Sequence, residues 1–131
     1  MKNSNLKILI AEDDVLLTKI LKYILEKEGY QVKCCSNGLN AIKKISEFLP
    51  DLIITDIILP LRSGLEIISY SKENFEHIPM IVLSCLGQEE ATVLKAFNLG
   101  VDDFVSKPFK PNLLLLRLER LISKSKQVMI A

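Results

Sequence analysis

The chain has 131 residues, of which 49% are hydrophobic, with 17 Lys and Arg against 16 Asp and Glu. That length holds one domain with a proper core but not a receptor together with an effector, and the balanced charge gives no general electrostatic case for nucleic acid or an anionic membrane. The opening MKNSNLKILIAEDD meets acidic residues before taking signal-peptide form, and no stretch approaches the ~18 apolar residues of a membrane span, so a cytoplasmic protein is expected. Short aliphatic runs then alternate with segments of helical period. KILIA at 7–11 reads as a strand, followed by a helix with apolar pairs Leu16/Leu17, Ile20/Leu21 and Ile24/Leu25 facing a core and a stop near Gly29. YQVKCC at 30–35 is more polar and reads as an edge strand, which puts Cys34 and Cys35 on opposite faces. A turn at Ser36 to Gly38 leads into a helix around Ala41 to Phe48, ended by Pro50. DLIITD at 51–56 is apolar on both faces, as a central parallel strand must be, and Gly64 opens a third helix through Ile67, Ile68 and Tyr70. PMIVLS at 79–84 is the fourth strand, Gln88 to Leu99 a helix closed by Gly100, and DFVSK at 103–107 the fifth strand. Pro111 starts a last helix, with a flexible tail expected over 125–131.

Five such pairs fold most simply as an α/β doubly wound parallel sheet of five strands with five helices on its two faces, joined by right-handed crossovers. Ligands of such sheets bind outside the carboxyl ends of the strands. The polar residues there are Glu12 and Asp13 after the first strand, Asp56 at the end of the third, Ser84 at the end of the fourth and Lys107 at the end of the fifth. Three carboxylates in one crevice repel one another unless a cation lies between them. Oxygen ligands alone, with no His or Cys placed for zinc, suit Mg²⁺. If Asp56 attacks a phosphoryl donor, Mg²⁺ and Lys107 can neutralise the phosphoryl oxygens while the Ser84 hydroxyl donates to one of them, giving an acyl phosphate.

ILIAEDD, DLIITDIILP, MIVLS and DDFVSKPF, in that order and spacing, resemble the receiver domain of a two-component response regulator over roughly Leu6 to Ser123. The resemblance implies a flavodoxin-like strand order 2-1-3-4-5 across a single receiver domain at 1–131. It makes Asp56 the phosphoacceptor, and gives the metal to Glu12, Asp13, Asp56 and the Ile58 carbonyl. It makes Ser84 the switch hydroxyl, Phe104 the switch aromatic and Lys107 the phosphate-pairing lysine, followed by Pro108, often through a cis bond. It further implies a histidine kinase or phosphotransfer protein as phosphoryl source, and a phosphoacceptor switch that catalyses only its own phosphorylation and dephosphorylation. Four departures stand out. Arg62, Ser63 and Gly64 occupy a loop that often ends in Asp-Gly, and Cys85 replaces the small residue usual beside the switch hydroxyl. Ile58 and Leu86 are apolar where many receivers carry side chains that position an attacking water, which predicts slow hydrolysis. The segment from Ser84 to Gly100 is slightly longer than the commonest spacing.

Singly, these residues have ordinary explanations. Asp13 or Asp14 can cap a helix, Asp56 can be a turn residue before Pro60, and Ser84 and Lys107 can be surface groups. Phe104 can be packing, His77 reads as a surface residue and Cys85 as a buried inert thiol rather than a redox sensor. Their coincidence at the ends of apolar strands favours the joint site. Val93, Leu113 and Leu116 read either as a broad helix stripe or as a self-association face on the fourth and fifth helices. The competing functions are an aspartate-nucleophile phosphatase, which wants an acid where Ile58 stands, a flavin or nucleotide binder, whose phosphate Glu12, Asp13 and Asp14 would repel, and a degenerate receiver serving as a structural module. Direct nucleic-acid or membrane binding by this domain is not expected.

Overall fold

The central strands form where β-branched and aliphatic residues run together, and charged residues stand at the carboxyl ends of the first, third and fifth. In a computed structural model describing residues 5–85 and 89–130, the elements in chain order are β1 Lys7–Ala11, α1 Val15–Lys27, β2 Gln31–Cys35, α2 Gly38–Phe48, β3 Leu52–Asp56, α3 Gly64–Asn74, β4 Met80–Ser84, α4 Glu90–Leu99, β5 Asp103–Ser106 and α5 Pro111–Ile130. All strand pairs are parallel and the sheet order is β2-β1-β3-β4-β5. The expected doubly wound, flavodoxin-like architecture is therefore the one observed, with the more polar β2 at an edge.

The period of two along each strand divides the core between the two faces of the sheet. Ile8, Ile10, Leu52, Ile54, Ile81 and Leu83 meet α1 and α5 through Leu21, Leu25, Leu114 and Leu118. Leu9, Ile53, Met80 and Val82 meet α2, α3 and α4 through Ala41, Ile45, Ile67 and Ala96. Cys34 packs with the first group and Cys35 belongs to the second. Each fully buried Ile or Leu contributes about 1.5–3 kcal/mol, so the central strands, with no exposed residue, anchor the fold.

Helix starts follow local chemistry. Asp14 accepts from the Leu17 N–H, Asn37 from that of Asn40 and Ser63 from that of Glu66, each satisfying a first-turn donor. Gly100, at φ 98°, ends α4 in the left-handed region that a side chain resists. α5 runs from Pro111 to Ile130, with neither Gly nor Pro after Lys124 to interrupt it. Two sequence expectations are corrected. Leu16 and Ile20 do not face the core: they are 68% and 43% exposed, and on α1 only Leu21 and Leu25 are buried. Cys85 is exposed rather than buried, since β4 ends one residue before it. The expected helix start at Gln88, like Leu86, lies outside the described residues.

Candidate functional site

Parallel pairing in register brings the carboxyl ends of β1, β3, β4 and β5 to one rim. Glu12 follows β1, and its N–H donates to the Cys35 carbonyl at 3.0 Å, which fixes its backbone beside the end of β2. Asp56 closes β3 opposite Leu83 of β4. Ser84, 7% exposed, is the next residue of β4, and its carbonyl accepts the Lys107 N–H at 2.8 Å. The Lys107–Pro108 peptide is cis.

These anchors deliver three carboxylates and one ammonium to a single pocket. Glu12, Asp13 and Asp56 each present an oxygen within 4.8 Å of the others. Lys107 Nζ donates to Glu12 Oε1 at 2.5 Å and to Asp56 Oδ2 at 2.8 Å. Asp56 Oδ1 accepts the Ile57 N–H at 2.7 Å, and Glu12 Oε2 accepts the Asp14 N–H at 3.1 Å. Glu12 and Asp56 are buried while Asp13 stands exposed at the mouth. Burial pushes the Glu12 carboxyl above the usual range, against the lowering effect of its hydrogen bonds to Lys107 and Asp14, and the Asp56 charge adds to the rise. For Lys107 burial acts downward, but the hydrogen bonds to Asp56 and Glu12 outweigh it and hold the ammonium above its ordinary value.

Counted by formal charge, the three carboxylates outnumber the one ammonium by two. A divalent cation would offset that surplus, and an all-oxygen donor set suits a hard one. The residues thus fit a magnesium-type site.

The remaining residues singled out in the sequence have other surroundings. Ile58 follows in the loop after Asp56, its side chain 65% exposed. Phe104 is half-buried on β5, its ring centroid 4.5 Å from that of Phe97 on α4. Asp14 serves as the α1 cap rather than joining the carboxylate cluster. His77 is exposed, as expected. What the sequence did not reveal is an open apolar groove of about 570 Å³ beside Lys107, lined by Leu16, Ile20, Cys85, Pro108 and Phe109. Its only signal was the i, i+4 pair Leu16/Ile20, lying outside the buried stripe of α1.

The model for "Response regulator receiver domain" matches residues 8–119. The chain belongs to this family. Among relatives, the alkaline phosphatase synthesis transcriptional regulatory protein PhoP of Bacillus subtilis (strain 168) is 34% identical over 121 residues, covering 92% of this chain and 50% of that protein. The receiver thus spans about half the length of this curated relative. The solved receiver domain of a signal transduction histidine kinase from Syntrophus aciditrophicus is 36% identical with a TM-score of 0.82, covering 90% of each chain. A CheY-like receiver domain protein from Methanospirillum hungatei JF-1 is 25% identical with a TM-score of 0.89, covering 93% of this receiver and 97% of that one. Membership makes the chain a two-component phosphorelay receiver, of a family that works by phosphoryl acceptance. Among the described residues no helix is long and apolar enough to cross a membrane.

Proposed function

We propose that Asp56 accepts a phosphoryl group from the phosphohistidine of a histidine kinase or phosphotransfer protein, and that the receiver acts as a switch on this modification rather than on an outside substrate. The supporting observation is the Lys107 ammonium lying between Glu12 and Asp56, with the Asp13 carboxylate in reach. In the transfer an Asp56 carboxylate oxygen bonds to phosphorus as the donor's N–P bond breaks, and the imidazole leaves. The Ile57 N–H orients the carboxylate through Oδ1. Lys107 donates to one phosphoryl oxygen and the Ser84 hydroxyl to another, and Phe104 then moves inward with Ser84. Mg²⁺ would be held by Glu12, Asp13, Asp56 and the Ile58 carbonyl, and when bound it neutralises charge on the carboxylates and on the transferring group.

The apolar groove beside Lys107 gives the donor protein a surface to seat against while its phosphohistidine reaches Asp56. Away from the residues that line this groove, Leu94, Phe97, Leu113 and Leu116 are exposed on α4 and α5. We infer that this second face associates with another copy of the receiver when Phe104 moves.

The test is intact-mass measurement after incubation with Mg²⁺ and a small-molecule phosphodonor. Wild type gains one phosphoryl and Asp56→Asn gains none; equal labelling of both moves the acceptor elsewhere. After donor removal the label should persist for minutes, because apolar Ile58 holds no attacking water, and loss within seconds would contradict that role.

A further inference from the structure

The loop that follows Asp56 rests on a helix that contributes nothing to the acidic pocket. α2 begins at Gly38, and first-turn N–H groups have no acceptor within their own helix. The Gly38 N–H donates instead to the Pro60 carbonyl at 3.0 Å, and the same oxygen accepts the Arg62 N–H at 2.8 Å. The second bond closes a three-residue turn around Leu61, whose φ is 70°, a conformation that side chains resist. Leu61 is 71% exposed, so burial of its side chain does not hold the turn. The contact with α2 does. It also requires a glycine: a Cβ at position 38 would lie 1.8 Å from the Arg62 carbonyl oxygen and 2.4 Å from the carbonyl carbon.

The same loop is tied to Asp56 at its other end. The Ile57 N–H binds Asp56 Oδ1 at 2.7 Å, and the Ile57 carbonyl accepts the Gly64 N–H at 2.7 Å. A Cβ on Gly64 would stand 2.0 Å from the Asp56 carbonyl oxygen, so the loop closes directly onto the acceptor's backbone. Movement of Pro60–Arg62 therefore passes along three residues to the N–H that aims the carboxylate.

We propose that Gly38 is a positioning residue for phosphoryl acceptance: by seating the Pro60–Arg62 turn on the start of α2, it fixes the loop whose Ile57 N–H orients Asp56. This rests on Asp56 being the acceptor. Loss of the seat leaves Glu12, Asp13 and Lys107 in place and misaims the Asp56 carboxylate, and misplacement on the scale of 1 Å costs up to about a hundredfold in rate.

The test compares initial rates of phosphoryl gain, with Mg²⁺ and a small-molecule donor, for wild type, Gly38→Ala, Leu61→Val and the double variant. A β-branched residue opposes positive φ more than leucine does, so Leu61→Val opens the seat from the loop side without touching α2. Ile45→Val, in the buried face of α2, is a control that lowers stability without touching the loop. Gly38→Ala and Leu61→Val should each slow uptake by about ten- to a hundredfold. The double variant should be no slower than the worse single one, because both break the same contact. In both single variants the Arg62 amide should exchange its hydrogen faster in metal-free protein, while Ile45→Val keeps the wild-type rate and Arg62 protection. Wild-type rates in Gly38→Ala and Leu61→Val overturn the proposal, as does equal slowing by Ile45→Val at a matched fall in Tm. If Gly38→Ala does not fold, Leu61→Val alone decides. A wild type that takes no phosphoryl overturns the assignment of Asp56 and this proposal with it, whereas a labelled wild type with unaffected variants removes only the role of Gly38.

Discussion

At the scale of single residues, the pocket is a problem of unequal charge. Three carboxylates share one ammonium, and the two buried ones, Glu12 and Asp56, are the two that Lys107 reaches. Removing that ammonium leaves both without their cation and removes one donor aimed where phosphoryl charge would gather. Lys107→Ala should therefore slow phosphoryl uptake by about 10²-fold at saturating Mg²⁺, read as the initial rate of intact-mass gain; an unchanged rate contradicts the role. All five polar groups were legible in the sequence because each stands where an apolar strand stops, and parallel pairing of known order leaves such positions no choice but one rim. Exposure was less legible. Cys85 lies one residue past a strand end, where burial is decided by neighbouring loops rather than by alternation. The contact of Gly38 with Arg62 joins residues far apart in sequence and leaves no periodic trace.

At the scale of elements, apolar period predicted where helices and strands lie, but not which part of a stripe a neighbour covers. In α1, Leu16 and Ile20 continue the stripe beyond the sheet and line the groove instead. At the far end of α1 the packing is tight. Tyr30, 4% exposed, follows the helix and its N–H donates to the Leu25 carbonyl at 3.1 Å. Its hydroxyl is pushed up to about 12, by burial first and then by the carboxylates of Glu119 and Glu28. The folded chain therefore keeps a proton that the unfolded chain loses near pH ~10. Stability from this packing is fully present below that pH and is lost as pH rises through the folded value. Tyr30→Phe removes this contribution, so thermal unfolding followed over that alkaline range should show a shallower fall of Tm than wild type; parallel curves would contradict the assignment.

At the scale of the whole molecule, the described residues expose two apolar surfaces that the proposed switch would use. The groove of α1 and the start of α5 adjoins Lys107 of the acidic pocket, whereas the second surface carries the exposed apolar residues of α4 and α5. Phe104 stacks on Phe97 of that second face, so an inward move of its ring would change the surface a second copy meets. Sedimentation with Mg²⁺ and a phosphoryl analogue should show concentration-dependent association that Leu116→Glu abolishes, and a monomer under all conditions removes the idea. Each of these proposals depends on distant segments meeting around one cation. Calorimetric titration of Mg²⁺ into wild type, Asp13→Asn and Asp56→Asn examines that meeting most directly. One site in wild type, weakened severely by either substitution, is the predicted result; undiminished binding by Asp56→Asn would contradict it.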